Sequence, residues 1–208
     1  MTLPQSALRI EHAGLVLAPP GDGELRVLAE IVETPGGIVT AEEAHYVTWP
    51  TGSAAAVASF LAFHRSLRVP PAPQRWLVPF AVLHDGRAVG VVVLESAAWT
   101  TERTVGTRAW LARTHQGRGL GRRARLMLLE LAFAHLDAAG AVTTAAADNA
   151  ASRRITERLG YRETGRGRAA DGVDEVHYRL APDAWREQRL DAVEVRGIAP
   201  FRAAIDRA

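Results

Sequence analysis

The chain contains no cysteine, no lysine and only three tyrosines. Without cysteine it forms no disulfide, no thiolate metal site and no cysteine nucleophile. Without lysine it forms no Schiff base, and a Walker phosphate loop is excluded as well. Any phosphate must therefore be held by arginine and backbone N–H groups. No apolar run approaches the ~20 residues of a membrane span. Met1–Arg9 lack the basic segment and long apolar stretch of a secretory signal. A cytoplasmic protein with no membrane contact is expected. The missing side chains also explain a misleading pI: it is about 9.6, yet the formal net charge is only +2. Few groups titrate between neutrality and pH 10, so a high pI here is a shortage of buffering groups. Nucleic-acid binding is not expected from it.

The 208 residues that are present are 48% hydrophobic and 23% charged, enough for one domain with its own core. Residues 1–208 read as a single domain, with N-terminal elements over 1–75, a core over 76–181 and a tail over 182–208. Leu8–Leu17 alternates like one strand, closed by Pro19-Pro20-Gly21. Glu24–Val32 and Ser53–Leu67 read as helices, Ser53 being a suitable N-cap. Trp76–Leu83 and Ala88–Leu94 are apolar strands joined at Asp85-Gly86, a hairpin signal. Thr104–Ala112 is a further strand, followed by a long helix over Gly119–Leu136. Strand Val142–Ala146, helix Ala150–Leu159 ending at Gly160, strands Tyr161–Gly165 and Glu175–Leu180, and a helix from Pro182 to Leu190 complete a mixed α/β pattern.

Gln116-Gly117-Arg118-Gly119-Leu120-Gly121 lies between a strand and the long helix. Glycines allow positive φ and close approach of a ligand. The helix start behind them offers unpaired N–H donors and a positive dipole end. Together these suit a pyrophosphate, and Arg113, Arg118, Arg122, Arg123 and Arg125 add charge nearby. A bland loop with solvated arginines is the competing reading. A dinucleotide fold is a further one, with Asp137 as its acidic residue, but such a fold usually opens with its glycine turn.

At these residues the chain resembles the GNAT superfamily of acyl-coenzyme A-dependent N-acyltransferases. Gln116, Gly119 and Gly121 match that family's coenzyme motif. Asn149-Ala150-Ala151-Ser152 followed by Leu159-Gly160-Tyr161 resembles the signature of the RimJ/RimL-like branch, as do Trp110-Leu111 and Leu131-Ala132-Phe133. The resemblance implies a GNAT fold: a mixed, mostly antiparallel central sheet, a V-shaped splay between Thr104–Ala112 and Val142–Ala146, and flanking helices. It implies acetyl-CoA as acyl donor, with succinyl-CoA or another acyl-CoA as rival, and no metal. The coenzyme arm would pair near Leu111, Ala112 and Arg113. The pyrophosphate would rest on the Arg118–Arg122 amides, within a coenzyme-binding turn of Gln116, Gly117, Arg118, Gly119, Leu120, Gly121 and Arg122. Asn149 would bond the coenzyme arm or the adjoining backbone, though it also reads as a helix N-cap, and Ser152 at the helix start would flank the thioester. The resemblance breaks at two positions. The family's usual tyrosine, seven residues after the asparagine, is Thr156, and the branch's usual glutamate is Arg123.

Aminolysis of a thioester needs a neutral amine, an oxyanion donor and an acid near sulfur. The N–H of Leu111 or Ala112 is the candidate donor, Ser152 the candidate acid and Glu102 the candidate base. Glu95, Glu175, His177 and His115 are further polar candidates. Val39–Pro50 and Trp99–Arg103 are the expected acceptor-contacting segments. Of Trp49, Trp76, Trp99 and Trp110, at least two are expected to be packing residues. Arg153, Arg154, Arg162, Arg166 and Arg168 read as surface charge, compatible with an acidic acyl group or a phosphate. The acceptor is expected to be a primary amine of a peptide N-terminus, a metabolite or an antibiotic. The competing class is a coenzyme A-binding or nucleic-acid-binding module without catalysis. A homodimer covered by the Trp185–Val195 tail is also expected.

Overall fold

The computed structural model of the chain describes residues 2–47 and 49–207. Among these, nine strands form one sheet: β1 (Arg9–His12), β2 (Leu15–Ala18), β3 (Trp76–His84), β4 (Arg87–Ser96), β5 (Thr104–Leu111), β6 (Gly140–Ala146), β7 (Arg162–Arg168), β8 (Asp174–Leu180) and β9 (Glu194–Arg196). The helices are α1 (Asp22–Glu33), α2 (Ala54–Ser66), α3 (Trp99–Glu102), α4 (Leu120–Glu130), α5 (Ala150–Arg158), α6 (Pro182–Arg186) and α7 (Ile198–Ile205). The strand order is β7-β8-β6-β5-β4-β3-β2-β1-β9. Neighbours run antiparallel except β5 and β6, which are parallel. Among the described residues no helix is long and apolar enough to cross a membrane.

Strand alternation divides the core between the two faces of the sheet. On one face, Leu25, Leu28 and Val32 of α1 and Phe60 of α2 pack with Ala81, Ala88 and Val91 of β3 and β4. On the other, α4 lays Leu120, Ala124, Met127 and Leu128 against Leu17, Phe80, Val92 and Leu94. The first face is covered only as far as β5. Beyond it, Val142, Thr144, His177 and Arg179 of β6 and β8 are exposed.

Several expected elements are corrected. Leu8–Leu17 is a hairpin, not one strand: Ala13 (φ 44°) and Gly14 (φ 77°) make its turn, and Ile10 faces Leu17. A two-residue turn preserves the period of two, so the apolar pattern reads alike in both cases. The helix expected to run to Leu136 becomes a π-helix over Leu131–His135. Trp99–Arg103 holds the short helix α3, and the helix from Pro182 stops at Arg186 rather than Leu190. β9 and α7 were not anticipated. The Trp185–Val195 tail packs against the core of its own chain. Trp185 is 4% exposed, Leu190, Val193 and Val195 pack against the larger core, and β9 pairs with β1.

Burial of one histidine gives the fold a pH dependence. His64 on α2 lies against the rings of Phe60 and Phe63, and its Nδ1 has no hydrogen-bond partner among the described residues. Burial, with the charge of Arg68 adding to it, pushes its pKa down to about 4. The unfolded chain takes up this proton near pH 6.5 and the native state only near 4, so stability is full above pH 6.5 and falls as pH drops. The loss should be on the order of 2–3 kcal/mol by pH 4. Urea unfolding at pH 7 and pH 4.5 should show it, and His64→Leu should remove that share of the dependence.

Candidate functional site

β5 and β6 share three parallel pairs, Thr104↔Gly140, Val105↔Ala141 and Gly106↔Val142. Beyond them β5 continues to Leu111 and β6 to Ala146 without pairing, so the sheet opens as a V. Thr143 Oγ1 donates to the Thr107 carbonyl at 2.9 Å and ties the apex. β5 stays paired with β4 as far as Leu111, opposite Gly90. One residue on, the Ala112 N–H donates to the Val89 carbonyl at 2.8 Å. Successive amide groups of a strand point to opposite sides. Ala112 facing β4 therefore turns Ala109 and Leu111 toward the opening. Of the two expected strand-end donors, Leu111 faces the V; the N–H of Ala112 is consumed inside the sheet.

At the wide end of β5 the chain turns through Arg113–His115 into the glycine segment. Gly117 (φ 70°) and Gly119 (φ 77°) hold left-handed conformations, and among the described residues nothing lies within 4 Å of where a side chain would begin at either. Gly119 caps α4 without a side-chain hydrogen bond, and no acidic residue occupies the first turn. The opening amides of α4 thus remain donors without an intrahelical partner. Arg113 and Arg118 stand exposed beside the turn. Arg122 is drawn aside to Gln188 Oε1 at 2.9 Å. His115 is held below the usual imidazole range by burial first, then by Arg118, His84 and Arg87.

The Gln116 side chain is spent on the protein itself: its Nε2 donates to the carbonyls of Leu111 and Ile38, each at 2.8 Å. The Arg113 N–H donates to the Gly37 carbonyl, also at 2.8 Å. These bonds tie Gly37–Ile38 to the end of β5. A few residues on, His45 Nε2 lies 2.8 Å from Asp148 Oδ2, just past the end of β6, and its Nδ1 lies 3.0 Å from the Glu42 carbonyl. The Tyr46 hydroxyl reaches the Asp148 carbonyl at 3.4 Å. The segment from Gly37 to Tyr46 therefore joins both arms of the V at its wide end. Of the expected acceptor segment Val39–Pro50, Thr48 lies outside the described residues.

α5 begins beside the end of β6. Asn149 Oδ1 accepts the Ser152 N–H at 2.9 Å, the capping role of that side chain. Ser152 is half-buried in the first turn. One turn further, Thr156 is 1% exposed, and its Oγ1 accepts from Arg125 Nη1 at 2.9 Å. The sequence reading groups Arg125 with the arginines close to the glycine turn and does not mark it as buried. Its position three and four residues before Leu128 and Leu129 was the available sign of burial.

The structure does not gather all the expected residues. Glu102 is exposed on α3, at the closed end of the V. At about 3.3 Å per residue, β5 separates it from the glycine turn by more than ~20 Å. Glu95 sits on β4 opposite Gly106, with its carboxylate held by Arg108 at 2.7 and 2.9 Å. His177 and Glu175 lie on β8, beyond β6. Trp76 (4% exposed) and Trp99 (0%) are core residues, clustered with Phe201. Trp49 and Trp110 pack together with Phe60 on the α1–α2 face.

Residues 15–162 match the family model described as Acetyltransferase (GNAT) domain. A Bacillus subtilis (strain 168) protein named "Putative ribosomal N-acetyltransferase YdaF" is 29% identical over 115 residues, covering 52% of this chain and 61% of that protein. The chain thus matches about three fifths of that relative's length. A GCN5-related N-acetyltransferase structure from Brucella melitensis aligns with a TM-score of 0.70 at 16% identity, covering 86% of this chain and 80% of that one. The microcin C7 self-immunity acetyltransferase MccE, in complex with acetyl-CoA and AMP, aligns with a TM-score of 0.65 at 16% identity, covering 82% and 93%. At these identities the structural likeness shows the fold.

Proposed function

We propose that this chain, which belongs to the GNAT acetyltransferase domain family, transfers an acetyl group from acetyl-CoA to a primary amine. The observation that carries the reading is the junction of the V with the glycine turn. β5 leads from the opened sheet directly into Gly117–Gly119 and the start of α4. An anion held at that turn therefore sits at the mouth of an opening whose edge presents Ala109 and Leu111. The turn fits a pyrophosphate: two open glycines at positive φ, uncapped helix amides, and the exposed Arg113 and Arg118. The amides of Arg118 to Arg122 would hold the pyrophosphate, and the β5 edge at Ala109 would hold the coenzyme arm, since Ala112 is engaged with Val89 and His115 and Arg113 with Gly37 and Gln116. When bound, acetyl-CoA supplies an activated thioester.

The chain's own groups then serve the two charges that develop. Leu111 N–H, turned into the V, would meet the carbonyl oxygen as it gains charge. Ser152, in the first turn of α5, would donate a hydrogen bond from its hydroxyl to the departing sulfur as charge develops there, aided by the helix N-terminus. The acceptor would approach beneath the Gly37–Tyr46 segment, which spans both arms. The RimJ/RimL-like signature at Asn149–Tyr161 and the ribosomal name of the curated relative favour a peptide N-terminus over a metabolite or antibiotic. Ser152→Ala should lower kcat roughly 10- to 100-fold, the scale of one lost charge-assisted donor. Coenzyme affinity should change little, because the Asn149 cap uses only the Ser152 backbone N–H. Wild-type kcat in Ser152→Ala, measured where chemistry limits the rate, would assign leaving-group protonation to water.

A further inference from the structure

Arg125 of α4 is 6% exposed, yet its partners are hydroxyls rather than carboxylates. Nη1 donates to Thr156 Oγ1 at 2.9 Å, and Nη2 lies 3.5 Å from Thr107 Oγ1, which in turn lies 3.2 Å from the Tyr161 hydroxyl. The guanidinium also faces the Tyr161 ring at 5.2 Å, and its Nε has no hydrogen-bond partner among the described residues. None of the ion pairs among the described residues includes it. A buried charge without a counter-charge is costly, and packing alone would be served as well by methionine or leucine. The place is informative. Thr107 is the first residue of β5 beyond its last pair with β6, and Thr156 lies one turn along α5 from Ser152. The two hydroxyls thus link Arg125 to β5 at the apex of the V and to α5.

We propose that Arg125 is a positioning residue: it keeps a positive charge under the V that favours the ionised form of a thiol bound there, acting through the hydroxyls of Thr156 and Thr107. The inference rests on the acyl-CoA reading above. Thioester aminolysis forms one C–N bond and breaks one C–S bond. The bonding pair stays on sulfur as a thiolate, and the amine's proton passes to solvent water. Negative charge thereby develops among neutral hydroxyls, where a nearby cation is weakly screened. Thr156 Oγ1 already accepts from Arg125, which leaves its own O–H to be donated.

The test needs no acceptor and no turnover. The chain has no cysteine, so in a solution of protein and coenzyme A the coenzyme carries the only thiol, and its thiolate absorbance can be followed against pH. The bound thiol should ionise at least about one pH unit below the free one, the effect of an opposite charge at short range. Arg125→Met should return it to the free value, Arg125→Lys should keep part of the shift, and Thr156→Val should lose at least half. A bound thiol that titrates like the free one, or a shift that survives in Arg125→Met, would overturn the proposal. If Arg125→Met does not fold, an undiminished shift in Thr156→Val overturns it equally. Calorimetry showing no coenzyme A binding by the wild type would instead overturn the acyl-CoA reading itself, and the inference with it.

Discussion

Gly119→Glu is expected to abolish measurable coenzyme A binding while leaving the chain folded. Gly119 has φ 77°, a region where a side chain costs roughly 1–2 kcal/mol. Nothing within 4 Å would collide with the new Cβ, so the fold tolerates the change. A carboxylate at this helix start is even favourable to the helix. The consequence falls on the ligand. The new charge would take up the α4 amides and repel a pyrophosphate. Two like charges ~5 Å apart interact by about 3 kcal/mol at an effective dielectric of 20, or about two orders of magnitude in affinity. Gly119→Asn, neutral and tolerant of positive φ, should lose far less. Calorimetry with coenzyme A, alongside circular dichroism, measures both outcomes. Unchanged affinity in folded Gly119→Glu would remove the glycine turn from the binding site.

Gly90→Val should be the most damaging small change in the sheet. Gly90 lies opposite Leu111 on the strand that forms one arm of the V. A Cβ there would collide with the Trp110 carbonyl oxygen and sit 2.8 Å from Leu111 Cα and 2.6 Å from Leu111 Cδ2. Two of these obstacles are backbone, so no rotamer change relieves them and the end of β5 must move. The cost should reach at least about 3 kcal/mol, or roughly 6–12 °C in Tm for a chain of this size. Moving β5 also displaces Leu111 and the Ala112–Val89 bond, so coenzyme affinity should fall together with stability. Gly165→Val is the matched control: it lies on the edge strand β7 with nothing within 4 Å, and should change Tm little. Thermal melts of the two variants decide the point.

The parts that were legible in the sequence are those written in local chemistry. Asp85-Gly86 sits in the hairpin it signalled, with φ of 51° and 75°. Ser53 caps α2 through the Ala56 N–H. The glycine turn takes the positive φ values its composition suggests. What escaped was decided by contacts between distant segments. Nothing local says that Gln116 spends its amide on Ile38, 78 positions away, or that His45 reaches Asp148. Both bonds belong to the segment that spans the V, and both depend on carbonyls or carboxylates placed by tertiary packing. β9 is three residues long and exists because β1 offers it an edge. Glu102 was chosen for lying near the right strand, but proximity in sequence does not say which end of the V a residue occupies. Arg125 carried a readable sign in its helical spacing, masked by the run of arginines around it.

The most direct measurement of the central claim is amine-dependent thiol release. The protein is incubated with acetyl-CoA, and separately with succinyl-CoA, against a panel that includes peptides with free N-termini. Free coenzyme thiol and the mass of each amine are followed together. The account predicts thiol release only when an amine is present, one acylated amine for each thiol, acetyl-CoA as the better donor, and loss of both signals in Gly119→Glu. Coenzyme A binding with no amine-dependent release of thiol from either donor would contradict it and leave a binding module in place of an enzyme.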